Sequence, residues 1–261
     1  VPCLAALLDL AGAPDTALVS VACANNEVGA LAPLAEIHAG LARFPTTRRP
    51  LLHTDAVQGL GKVKLDLVGW GVDLASFSPH KVGGPLGTGV LYRRRGVPLV
   101  GIQQGGGQES DLRAGTENVP AAAAAALAID LAVAEREQFA VRAAELLHEL
   151  WHGLRRVLPA ISHLGPRLDG PRLPNTLTIL IPGVDGRVLV TRLDLAGLEA
   201  SAGSACASGS LEPSHVLLAM GLDHEQARAG LRLSLGRSTT REDIHCAVEI
   251  LRRTVLGARK S

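Results

Sequence analysis

Short apolar runs that stop abruptly at polar residues recur along the first half of the chain. Residues 17–23 (ALVSVAC), 51–57 (LLHTDAV) and 72–77 (VDLASF) have the length and apolar character of buried strands. The first empties into Asn25-Asn26-Glu27-Val28-Gly29, the second into Asp55 and Gln58, and the third into Ser78-Pro79-His80-Lys81 and a glycine-rich segment. Residues 34–41 predict a short helix and 46–50 a polar, basic loop. From Asn118 the pattern turns helical, with Pro120 tolerable in a first turn. An Ala/Leu/Glu/Arg-rich stretch through Leu158 predicts one or two helices, with Leu146, Leu147, Leu150 and Leu154 at helical spacing. A Pro/Gly-rich connection (159–174), a strand (175–181, NTLTILI) and a helix packed on it (185–195) follow. Another helix is expected from Ser214 to Met220. In the alternating strand 231–237, leucines line one face and Arg232, Ser234 and Gly236 the other. Residues 240–243 open the last helix in a capping-box-like pattern, and Ile244, Val248, Leu251 and Val255 form its buried stripe. The chain therefore predicts an α/β protein of two domains, residues 1–128 and a smaller α/β domain at 129–261.

Composition narrows the functional classes. A net charge of +1 and 2% aromatic residues argue against a nucleic-acid surface. The four cysteines (Cys3, Cys23, Cys206, Cys246) lie far apart without C-x-x-C spacing, which disfavours a zinc knuckle or a disulfide framework and fits a reducing cytoplasm. The most apolar run, 120–131, contains Asp130 and is too short to cross a bilayer. No membrane or metal partner is expected; Cys206 and His215 lack further ligands at zinc-type spacing.

The strand ends carry the candidate chemistry, because parallel sheets gather ligands outside the carboxyl ends of their strands. Lys81, straight after a buried strand, either snorkels to solvent or points its amine into a site, where its pKa would fall from about 10.4 and make it a Schiff-base former or general base. Asp55 is either a turn former or a buried carboxylate able to hold a proton on a pyridinium nitrogen, a pairing with lysine that suits pyridoxal phosphate. Asn26 is either part of a turn or faces the pocket of Lys81. Cys206 stands in a loop of Ala, Ser and Gly that cannot wall it off, so it reads as an accessible nucleophile, whereas Cys3, Cys23 and Cys246 read as inert buried cysteines. Arg232, on a half-buried strand, needs an anion: a bidentate carboxylate ligand or an ordinary salt-bridge partner.

ANNEVG, HTDAVQ, SFSPHKVGGPLGTGVLY, GGGQESDLRAGTENVP, SAGSACASGSLEPSHVL and LRLSLGRSTTREDI, in this order, resemble cysteine desulfurases of the NifS/IscS type within the class V aminotransferase fold. The resemblance implies an aspartate-aminotransferase-like large domain with a mostly parallel sheet, plus the smaller C-terminal domain carrying the cysteine loop. It implies that Lys81 carries pyridoxal 5'-phosphate, that Asp55 partners the pyridine nitrogen, and that Gln58 donates to the phenolic oxygen. Ser78 and His80 match phosphate ligands, and Asn26 the amide beside ring and substrate carboxylate. Thr116 matches a threonine that reaches the neighbouring subunit's phosphate, implying a homodimer. Arg232 matches the arginine gripping the carboxylate of L-cysteine, and Cys206 the thiol that takes sulfur as a persulfide, leaves L-alanine, and passes sulfur to an acceptor protein for iron–sulfur cluster or thio-cofactor synthesis.

The chain departs from the pattern at Pro79, where glycine is usual, and at Leu86, where lysine is common. The resemblance also implies an N-terminal third before Val1, with a phosphate-binding loop and a ring-stacking histidine. The alternatives are a truncated, non-catalytic homologue acting as a dimerising or partner-binding subunit, or a selenocysteine lyase or aminotransferase of the same fold.

Overall fold

A computed structural model describes residues 3–203 and 212–258. The chain divides into two compact units, residues 1–23 with 32–136, and residues 24–31 with 137–261. The expected boundary at 128 falls inside a helix, and the short segment after the first strand joins the second unit.

The first unit is organised by a four-stranded sheet in the order β1 (Leu18–Ala22), β2 (Leu51–Asp55), β3 (Leu74–Phe77), β4 (Val90–Arg93). The first three strands run parallel and β4 is antiparallel to β3. Register sets Ala22 opposite Asp55 and Asp55 opposite Ser76, so the carboxyl ends of all three parallel strands lie level. Helix α1 (Leu4–Ala11) and helix α2 (Leu34–Leu41) precede β2, and α2 buries Leu34, Ile37 and Leu41 at helical spacing. Helix α3 (Val119–Ala134) is capped by Asn118, whose side chain accepts from the Ala121 N–H (3.2 Å), and it buries only alanines. One of these, Ala132, packs with Leu60 and Val82, next to Lys81.

Asp73, wholly buried ahead of β3, ties that strand in place. Its carboxylate accepts from Arg49 (3.1 Å), the Leu52 N–H (2.8 Å) and Arg94 Nε (2.9 Å). Burial alone would raise its pKa, but these donors outweigh that effect and hold it below the ordinary aspartate value.

The second unit has an antiparallel sheet ordered β5 (Ser162–Leu164), β6 (Thr176–Leu180), β7 (Gly230–Ser234), with helices α4 (Arg136–Val157), α5 (Gly186–Leu195) and α8 (Arg241–Ala258). Its core joins Leu147, Leu150 and Leu154 of α4, Leu177 and Ile179 of β6, Leu189 and Leu193 of α5, and Leu251 and Val255 of α8. Two short helices, α6 (His215–Ala219) and α7 (His224–Arg228), precede β7, whose Leu231 and Leu233 face the same core while Arg232 is half-buried. Among the described residues no helix is long and apolar enough to cross a membrane, and no cluster of three or more His, Cys, Asp or Glu could hold a metal.

Candidate active site

In the first unit, five of the expected residues stand where β2 and β3 end. Asp55 closes β2, and its Oδ1 accepts from the Val57 N–H (2.9 Å), starting the turn that carries Gln58. The carboxylate is exposed, so the expectation of a buried Asp55 is corrected: it forms the turn and keeps its remaining lone pairs open to a ligand. Beyond β3 the chain tightens into a 3-10 turn, Pro79–Val82, with Pro79 in the first position and Ser78 extended at φ −130° and ψ 101°. That extended conformation is the one a following proline enforces, so Pro79 fits the bend that presents His80 and Lys81. Ser78 Oγ and His80 Nδ1 are 2.7 Å apart, which binds the two expected phosphate ligands to each other. Gly83, at φ +88°, closes the turn in the left-handed region that glycine tolerates.

Lys81 is exposed at the end of this turn, and the expectation of a buried amine there is corrected. The half-buried amine of this unit is Lys62, which sequence reasoning passed over. Its pKa is pushed down to about 8, first by burial and then by the charge of Lys81. Lys62 Nζ donates to Gln58 Oε1 (3.1 Å). The signal was available: residues 58 and 62 are four apart in a tight turn, where side chains meet. Beside them Cys23 is buried, and burial pushes its thiol up to about 11, in keeping with an inert role. Cys3 and Cys246 are exposed, which corrects their reading as buried. His53 is spent on the sheet, 2.7 Å from Ser20 Oγ and 2.9 Å from Ser76 Oγ. Thr116 lies exposed in the loop before α3. In that loop Glu109, Ser110 and Asp111 hold successive φ values of 52°, 58° and 64°, a run of left-handed residues that costs energy outside glycine.

The second unit holds Asn26 and Arg232. Asn25 shapes the turn, its Oδ1 accepting from the N–H groups of Glu27 and Val28 (both 2.9 Å). The Asn26 carbonyl accepts from Arg232 Nη1 (2.9 Å). Asn26 therefore shares its unit with Arg232 and not with Lys81. Backbone bonds between Arg232 and Ser201, in both directions at 2.7 and 3.1 Å, bridge the middle of β7 to Ser201. Cys206 lies outside the described residues.

Glu27, 1% exposed, accepts a hydrogen bond from Ser214 Oγ, while its other carboxylate oxygen has no partner among the described residues. Ser214 also caps α6, accepting from the Leu217 N–H (3.2 Å). Replacing Ser214 with alanine removes the cap and leaves both carboxylate oxygens of Glu27 without a donor among the described residues. Ser214→Ala is expected to cost about 2–3 kcal/mol, read as a lower urea midpoint at unchanged slope.

The chain belongs to the class V aminotransferase family: the family profile described as Aminotransferase class-V matches residues 5–246. Within that family the likeness runs to proteins of the NifS/IscS type. A cysteine desulfurase IscS of Clostridium botulinum is 40% identical over 246 residues, covering 94% of this chain and 61% of the relative. A solved structure of a NifS-like protein superposes with a TM-score of 0.86 at 35% identity, over 98% of this chain and 65% of that one. SspA, solved in complex with cysteine, aligns at 28% identity and a TM-score of 0.68, over 90% of this chain and 62% of its own. The chain thus spans less than two thirds of the length of these relatives.

Proposed function

We propose that this chain carries the cofactor-binding and sulfur-accepting residues of a pyridoxal-phosphate-dependent cysteine desulfurase. The observation that carries the reading is the gathering of Asp55, Gln58, Ser78, His80 and Lys81 at the level ends of two adjacent parallel strands. Their chemistry fits the cofactor. An open carboxylate suits a protonated ring nitrogen, an amide whose oxygen is already taken offers its N–H groups, and a hydroxyl–imidazole pair suits a phosphate. An exposed amine can be reached by an aldehyde. Bound pyridoxal phosphate would serve as an electron sink for the substrate's α-carbon.

The remaining steps belong to the chain. Lys81 takes a proton from the substrate and returns it, and Asp55 keeps the ring nitrogen protonated. Arg232 pairs with the substrate α-carboxylate through its guanidinium fork, with Asn26 beside it. The Cys206 thiolate attacks the sulfur of L-cysteine. A sulfur–sulfur bond forms, the carbon–sulfur bond breaks, and its electron pair leaves with carbon, which is then protonated. L-cysteine and a thiol thus become L-alanine and a persulfide, which passes sulfur to an acceptor protein. The first unit is the C-terminal part of the large domain and the second the small domain. Thr116 serves the phosphate site of a second copy in a homodimer.

Cysteine-dependent sulfide release is expected to disappear in Cys206→Ser, while alanine formation stops with it. Full turnover of cysteine by Cys206→Ser would overturn the desulfurase reading and favour a selenocysteine lyase or aminotransferase of this fold.

A further inference from the structure

We infer that Lys62 is a positioning residue that holds the Gln58 amide with its N–H end turned to the cofactor; this rests on the reading of Gln58 as a cofactor ligand. An ammonium group can only donate, and a glutamine amide offers one acceptor end and one donor end. With Nζ 3.1 Å from Oε1, the oxygen is committed to Lys62 and the nitrogen is the end left to serve a ligand. A flipped amide would set donor against donor at Lys62 and present an oxygen to the cofactor's own oxygen, losing the bond on both sides.

The turn that joins the two residues is closely packed. Gly59 and Leu60 both donate backbone bonds to the Ala56 carbonyl (3.0 Å each), and Lys62 and Val63 to that of Gly59 (3.1 Å each). A side chain at Gly59 would meet Cys23 Sγ at 2.7 Å and Leu65 Cδ2 at 2.9 Å. Ala56 and Leu60 are buried. The backbone from which the Gln58 side chain starts is therefore fixed, and the bond from Lys62 acts on its amide end. Lys62 is also close enough to Lys81 for the two charges to act on each other, so the positioning amine and the reactive one share one electrostatic environment.

A double-mutant cycle on the full chain tests the inference, with affinity for pyridoxal phosphate measured by absorbance titration. Lys62→Met should weaken binding about tenfold in the native background, by loss of a charge-assisted hydrogen bond, and less than about twofold in a Gln58→Ala background. Lys62→Arg should restore most of the affinity. Equal losses in the two backgrounds, or no loss at all, would overturn the inference. A second measurement needs no cofactor: the side-chain amide resonances of Gln58 should move in Lys62→Met. If those resonances stay in place while the native chain binds pyridoxal phosphate, the inference fails and the reading of the site stands. If they move but the native chain takes up no cofactor, the hydrogen bond is confirmed and the cofactor role of both residues falls.

Discussion

Replacing Lys81 with alanine is expected to lower cysteine turnover by at least about 10³-fold while leaving the melting temperature nearly unchanged. The two halves of that expectation have separate causes. Lys81 is exposed in a turn whose buried members are Pro79 and Val82, so removing its side chain disturbs no core contact. Exposed substitutions of this kind shift stability by about 0.5 kcal/mol or less. The same amine is assigned both the bond to the cofactor and the proton transfers of the reaction. Loss of a positioned base alone costs about 10²–10⁴-fold, and loss of covalent attachment adds to it. Sulfide release, the visible band of the loaded protein and a thermal melt, measured on one preparation, check both halves. A Lys81→Ala protein with native turnover would remove the residue from the reaction.

Asp73→Asn is expected to act in the opposite manner, on stability first. The native carboxylate is wholly buried and paired with Arg49 and Arg94, and it accepts the Leu52 N–H of the neighbouring strand. Neutralising it strands the Arg49 side chain, itself only 18% exposed, next to an amide that can donate as well as accept. A loss of about 3 kcal/mol is expected, since breaking one side of a buried ion pair leaves the other charge uncompensated. The carboxyl titrates below its unfolded value of about 3.9. Its contribution is therefore complete above that pH and is lost as pH falls through the folded-state value. Urea midpoints of the native chain should decline as pH drops below about 4, and that part of the decline should be absent in Asp73→Asn.

Much of the architecture was readable because burial imposed a period on the residues. Leu34, Ile37 and Leu41 announced α2, and the alternation of Leu231, Arg232 and Leu233 announced β7. The strands β4 and β5 gave no such signal. β4 leaves Val90 and Leu91 exposed, and β5 has three residues inside a stretch rich in Pro and Gly. For the candidate site, residue types at strand ends pointed to Asp55, Gln58 and Lys81 without revealing which amine is desolvated. That depends on how Lys62 folds back over the Gln58 turn, a three-dimensional fact with no counterpart in composition or period. Asn26 gave no sign of the unit it belongs to, for a related reason. Its neighbours in sequence belong to the parallel sheet, but the hydrogen bonds of its own segment run to residues far downstream.

That threading bears on how the chain can be synthesised and cut. Glu27 meets its Thr178 hydrogen-bond partner 151 positions later, and Asn26 meets Arg232 after 206. Val28 and Ala30 pack against Leu217 and Ala227. During translation residues 24–31 must therefore wait, uncommitted, until their partners at 178, 217, 227 and 232 have left the ribosome. A protease nick after Arg136 would leave the C-terminal product without a wedge of its own interior, which the N-terminal product retains.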